Sequence, residues 1–221
     1  MRIKFVILII ALLGFFAGCT DDNGPVETVR GSGNVITEGR EVSGFTAVSL
    51  QGMGKLQIDQ TGSESLSITA DDNLLPYIET RVRGNKLIIS VQGNTLFSNV
   101  TELTYHVTVA NIDSVELDGA GEIEVSHLDA DEWQVNLDGT GSITASGQAN
   151  KQTVEIIGAG AYTADELASQ EATVRHSGAG MAVVQVSNQL DVRIDGLGTV
   201  EYIGDPEVTQ TINGLGTVRQ R

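Results

Sequence analysis

The stretch Val115-Glu-Leu-Asp-Gly119-Ala-Gly121-Glu-Ile123 is followed twenty residues on by Val135-Asn-Leu-Asp-Gly139-Thr-Gly141-Ser-Ile143. The same Gly-x-Gly core returns in Ile156-Ile-Gly158-Ala-Gly160-Ala-Tyr162, His176-Ser-Gly178-Ala-Gly180-Met-Ala182, Ile194-Asp-Gly196-Leu-Gly198-Thr-Val200 and Ile212-Asn-Gly214-Leu-Gly216-Thr-Val218. Successive first glycines are separated by 20, 19, 20, 18 and 18 residues. A fixed period of this length is the mark of a chain that stacks one supersecondary unit upon the next.

Each unit has a readable cross-section. Side chains alternate faces along a strand. Around Gly119 one phase holds Val115, Leu117, Gly119, Gly121, Ile123 and Val125; the other holds Glu116, Asp118, Ala120, Glu122 and Glu124. The apolar phase survives passage across the two glycines, so both flanking strands face one core. The glycines fall on the inward side, where a tight bend leaves no room for a side chain. The expected fold is all-β, a right-handed parallel β-solenoid with about 18–20 residues per rung. Its handedness follows from the preference of parallel crossovers. A β-sandwich and a β-propeller are the alternatives. A propeller blade takes about 40 residues, which would need rungs in pairs.

The motif also occurs early, as Gly31-Ser-Gly33-Asn-Val35 and Gly52-Met-Gly54-Lys-Leu56. Between Gly52 and Gly119 it is absent, but alternating segments persist at Leu66–Ala70, Leu87–Val91 and Tyr105–Val109, with room for about three more rungs at this period. The whole rod would then hold roughly ten rungs and extend on the order of 45–50 Å. Asp71–Glu79 is the least repeat-like segment and carries a short helical turn; Thr163–Ala168 is a second weakly helical piece.

The first residues read as an export signal. Arg2 and Lys4 precede an apolar run to Phe16, closed by Ala17-Gly18-Cys19, and the run is too short to span a membrane. Cys19 is the only cysteine, so it forms no internal disulfide. Its setting resembles the lipobox of bacterial lipoproteins, with Phe16 where Leu is usual. The expected organisation is a lipoprotein signal peptide over 1–18, a flexible tether over 19–28 starting at lipidated Cys19, and one β-solenoid domain over 29–221. Asp21-Asp22 resembles a signal that sends lipoproteins to the outer face of the outer membrane. Expected localisation is therefore the outer membrane, lipid-anchored, at the cell surface or facing the periplasm.

Removing residues 1–18 takes Arg2 and Lys4 from the 13 basic residues and leaves all 29 acidic ones, so the net charge falls from −16 to −18. Such an excess argues against nucleic acid and against binding an anionic lipid surface by charge. Asp118, Asp138, Asp195 and Asn213 precede the first glycine in four rungs, and stacked they suggest Ca²⁺ ligation. Ile157 and Ser177 interrupt that column, and Asp and Asn are ordinary turn residues, so no metal or cofactor is expected. A dinucleotide fingerprint needs a third glycine opening a helix, which is absent. Lys55, Lys86 and Lys151 are scattered, as are His106, His127 and His176, and Asp71-Asp72 reads as a turn cap. The chain is not expected to be an enzyme. Residues between the glycines run Ala120, Thr140, Ala159, Ala179, Leu197, Leu215; Leu197 and Leu215 are candidates for an oligomer contact.

Gly31-Ser-Gly-Asn-Val-Ile36, Glu41-Val-Ser-Gly-Phe-Thr-Ala-Val48 and Ala70-Asp-Asp-Asn-Leu-Leu-Pro-Tyr-Ile-Glu79, together with the glycine repeats, resemble the auto-transporter adhesin head "GIN" domain, over about residues 34 to 216. The resemblance implies a right-handed β-helix shaped like the pectin-lyase folds without their catalytic residues. It also implies a role in adhesion and assembly as trimers, and it carries over no residue-level site. The expected function is a cell-envelope lipoprotein whose solenoid binds a glycan or protein. A structural or signalling scaffold of the envelope and, less favoured, a carbohydrate-active enzyme are the alternatives.

Overall fold

A computed structural model describes residues 26–221. The expected signal segment, Cys19 and tether residues 19–25 lie outside the described residues. The chain opens with strands β1 (Glu27–Arg30), β2 (Val35–Arg40), β3 (Ala47–Gly52) and β4 (Lys55–Gln60). Next come β5 (Ser65–Asp71), β6 (Ile78–Arg83), β7 (Lys86–Val91), β8 (Thr95–Ser98) and β9 (Leu103–Val109), with a 3-10 turn at Leu75–Tyr77 between β5 and β6. The repeats form β10 (Ser114–Gly119), β11 (Glu122–Gly139), β12 (Ser142–Gly158), β13 (Ala161–Gly178) and β14 (Met181–Ile194). The chain closes with β15 (Thr199–Ile203), β16 (Glu207–Ile212) and β17 (Thr217–Gln220). Strand β1 pairs with β8 from Glu27↔Thr95 onward, so pairing starts two residues inside the stretch expected as tether.

β10 through β17 stack in parallel as a β-solenoid of about five turns. Identical residue types fall on one another: Val48, Val115, Val135, Val154, Val174 and Val192 are successive cross-strand partners, and all six are buried. β-branched side chains with restricted rotamers pack well in such a column, and each contributes about 1.5–3 kcal/mol of burial at most. The inward phase named from sequence is the buried one: Val115, Leu117, Ile123 and Val125 are all nearly inaccessible.

Most of the slip between 18 and 20 residues is absorbed at one bend, with a further single-residue shift at Ser169/Glu171. Register shifts between β11 and β12 at Val125/Leu128 and between β12 and β13 at Thr144/Ser146 take up single extra residues. A larger shift at Ala164/Ala168 accommodates the shorter coil that follows. His127 occupies the first bulge with φ of 56°. The Gly-x-Gly corner never slips, because its glycines have fixed jobs. At Gly139, φ is 140° and a Cβ would lie 2.1 Å from the Gly119 carbonyl oxygen of the coil below. At Gly160 a Cβ would lie 2.1 Å from Leu137 Cδ2, inside the core. The first glycine is thus dictated by the neighbouring coil, and the second by that coil and the core together, since a Cβ at Gly180 would lie 2.0 Å from the Gly160 carbonyl oxygen.

Two expectations require correction. The region between Gly52 and Gly119 does not add three rungs, and the rod is shorter than ten. β3 and β4 lie directly beneath β10 and β11, with β7 and β9 as the one parallel layer below them. β2, β5 and β6 pair antiparallel to β5, β9 and β7 respectively. Without Gly-x-Gly corners the chain reverses at hairpins, as at Gly84-Asn85, where Gly84 has φ of 61°. A two-residue loop starting with such a glycine suits an antiparallel pair. Thr163–Ala168 is strand within β13, not helix, because ladders to β12 and β14 on either side outweigh local propensity.

Candidate functional site

The solenoid offers two longitudinal concavities, one at each bend. The first follows the Gly-x-Gly corner, about 790 Å³ in volume, along Ala120, Thr140, Ala159, Ala179 and Leu197. Its backbone amides are committed to the coil below; Ala120 donates to Gly52 O at 2.9 Å and Leu197 to Gly178 O at 2.7 Å. Those N–H groups are therefore not free to meet a partner there. Leu197 is 61% and Leu215 83% exposed, and Leu215 N bonds Gly196 O, so the two stand on adjacent coils. Met181 also opens to solvent beside them.

The second groove, about 650 Å³, was not legible as a site in the sequence and is chemically different. Its floor is Ala130, Ala149, Ser169 and Val186, cross-strand partners in successive coils. One wall carries Asp129, Gln148, Ala168 and Gln185; the other carries Asp131, Asn150, Gln170 and Ser187. The walls are laddered: Gln148 Nε2 donates to Asp129 Oδ1 at 2.9 Å, Asn150 Nδ2 to Asp131 Oδ1 at 2.8 Å, and Gln170 Nε2 to Asn150 Oδ1 at 3.0 Å. A primary amide has two donor hydrogens, so each laddered amide keeps a second one for a ligand.

Beneath the floor runs a buried chain of hydrogen bonds. Trp133 Nε1 donates to Tyr162 OH (3.2 Å), which donates to Gln152 Oε1 (3.2 Å); Gln152 Nε2 donates to Ser169 Oγ (2.7 Å), and Ser169 Oγ to Gln185 O (2.6 Å). Burial pushes the Tyr162 phenol above its usual range, against the opposing effect of the Trp133 hydrogen bond. The signal for this network was a glutamine on the inward phase at position 152. The groove itself was signalled by the polar–small–polar triplets Asp129-Ala-Asp131 and Gln148-Ala-Asn150, one repeat period apart.

Other candidates resolve into structural roles. Asp71 is buried and accepts from Gly33 N at 2.6 Å, Thr101 N at 2.8 Å and Thr101 Oγ1 at 2.9 Å. These bonds, led by the Thr101 amide, hold its carboxyl below the usual range. Asp72 accepts from Ser32 Oγ at 2.6 Å and Asn34 Nδ2 at 2.8 Å. Two of the three segments that carry the family likeness, Gly31–Ile36 and Ala70–Glu79, are thus two halves of one clasp. Asp195 is gripped by Arg193 and by Asn213 Nδ2 at 2.8 Å. Among the described residues no group of three or more His, Cys, Asp or Glu is placed to hold a metal. His106 and His127 are exposed, while His176 is buried.

The geometry defines a class: a β-solenoid whose backbone is spent on stacking and whose outward side-chain columns form extended, laddered surfaces. The chain belongs to a particular family of that kind, the one described as "putative auto-transporter adhesin, head GIN domain", whose model matches residues 44–206. Its fold is similar to a crystal structure of a putative adhesin from Bacteroides fragilis, with a TM-score of 0.73 and 19% identity over 87% of this chain and 100% of that one. A putative adhesin from Parabacteroides distasonis is similar with a TM-score of 0.57 and 21% identity over 88% and 100%. A protein of that organism titled a putative lipid binding protein gives 0.55 and 20% over 88% and 100%. No curated protein sequence matches the chain.

Proposed function

We propose that the protein is a lipid-anchored adhesin of the bacterial outer envelope, presenting its solenoid as a non-catalytic binding surface for a glycan or protein. The observation that supports this reading most directly is the laddered groove. Its carboxylates Asp129 and Asp131 are tied to neighbouring amides, an arrangement that orients polar groups for contact. Membership of an adhesin-head family points the same way, and Cys19 supplies the anchor.

Protease shaving of intact cells tests the display. A surface adhesin is digested, whereas a periplasmic scaffold is spared. Cys19→Ser is expected to release the protein from the membrane fraction; retention of the variant there overturns the anchor. Cleavage of a polysaccharide by the purified protein would overturn the non-catalytic reading.

A further inference from the structure

We infer that the groove over Asp129–Asp131, Gln148–Asn150, Ala168–Gln170 and Gln185–Ser187 takes a neutral linear glycan, laid along the solenoid axis with one sugar per coil. This deepens the adhesin reading and rests on it. Adjacent coils repeat every ~4.8 Å, close to the advance of one pyranose and its glycosidic oxygen. A chain lying across the coils therefore meets one coil's floor residue and wall pair at each step. Floor residues Ala130, Ala149 and Ser169 are small, which leaves depth for a ring edge. The wall amides of Gln148, Asn150 and Gln170 each offer a donor and an acceptor, the pairing that vicinal hydroxyls satisfy.

Charge narrows the class. The lining holds two carboxylates and no Lys, Arg or His, and the chain carries a net charge of −16, so a polyuronate or sulfated chain is repelled. A peptide fits less well than a glycan. The coils flanking the groove already pair with one another, so no strand edge is open for augmentation there. The floor also lacks the apolar pockets in which a peptide anchors its side chains. Fixing the walls in advance through the three side-chain bonds lowers the ordering loss on binding.

The test titrates the purified protein by calorimetry. The probes are β-1,4-linked glucose and N-acetylglucosamine oligomers of increasing length, oligogalacturonate and oligolysine. Expected is binding of at least one neutral series, strengthening with each added sugar up to about four, the number of coils lining the groove. The double variant Gln148→Ala/Asn150→Ala is expected to weaken it at least tenfold, while Glu155→Gln, at an exposed strand position outside both grooves, leaves it unchanged. Binding of oligogalacturonate or oligolysine in preference to both neutral series overturns the proposal, as does neutral binding that the double variant leaves intact. Absence of neutral binding by a protein that still adheres to cells overturns the glycan groove and leaves the adhesin reading standing; absence of both removes the two together.

Discussion

Gly52 and Gly119 are direct cross-strand partners although 67 residues separate them. Their contact is so close that a Cβ on Gly119 would lie 2.4 Å from the Gly52 carbonyl oxygen. The early Gly-x-Gly motif is therefore the lowest corner of the same column as the later six. The intervening strands are an excursion that closes the end of the stack, where an unpaired coil would expose its edge and core.

Close stacking makes the first glycine of each corner intolerant. Gly139→Ala combines a contact of 2.1 Å to Gly119 O with φ of 140°, and is expected to destabilise by about 3 kcal/mol or more. Its exposed neighbour Thr140→Ala should stay within about 0.5 kcal/mol. Urea midpoints of the two variants check this; equal midpoints would show that the corner relaxes freely.

His176 predicts a pH dependence. Its ring replaces the aliphatic residue of a buried column, between Ile156 and Ile194. Desolvation lowers its pKa from 6.5, with no side-chain partner at either ring nitrogen. Its contribution is fully present above about pH 6.5, where folded and unfolded states are both neutral. It is lost as pH falls below that value, because the unfolded chain takes the proton first, with a slope of at most about 1.4 kcal/mol per pH unit. His176→Ile should flatten the stability profile between pH 7 and the lower native pKa. A profile unchanged by the substitution counts against the assignment.

The buried chain from Trp133 to Gln185 predicts a cooperative penalty. Gln152→Leu leaves the Tyr162 hydroxyl without its acceptor and Ser169 Oγ without the amide that donates to it, and should destabilise by about 1–3 kcal/mol. Trp133 is the sole tryptophan, so its emission should shift in the variant while the protein remains folded. An unaltered spectrum would mean the four bonds do not act as a unit.

The clasp of Asp71 and Asp72 over Ser32–Asn34 predicts acid lability at one end of the rod. Both carboxyls are held below the usual range by hydrogen bonds. The stabilisation is present above their unfolded pKa of 3.8 and is lost as pH falls through the lower folded values. Asp71→Asn should raise amide hydrogen exchange at Gly31–Asn34 at neutral pH while leaving β11 to β13 protected. Uniform exchange across the chain would instead place the clasp within the global unfolding unit.

Leu197 and Leu215 stand exposed on adjacent coils beside a strip of alanines, and we propose that they contribute to a homo-oligomer contact. Light scattering on Leu197→Ser/Leu215→Ser should show a lower mass than the parent. Identical mass and identical melting would remove the contact.

Periodicity and phase were enough to place the coils from Gly119 onward and the inward residues around that corner. A repeat that must pack on copies of itself writes its cross-section into every period, so local sequence and long-range contact carry the same information. The clasp was half visible: its two segments could be recognised, but their pairing joins residues some 40 positions apart. Likewise the groove needed coordinates, since its walls are exposed polar residues that no single strand distinguishes from ordinary surface.

Sequence by itself determined the coil: glycines at two fixed positions, apolar residues on one phase, and a length that only stacking can satisfy. Tertiary structure alone decided where the stack stops, that Gly52 belongs beneath Gly119, and that Asp129, Gln148, Asn150 and Gln170 converge on one groove. Side-chain alternation and backbone sterics act within a few residues and are written locally. Closure of the end and convergence of the walls depend on which coil lies against which, and that is settled only when the whole column packs.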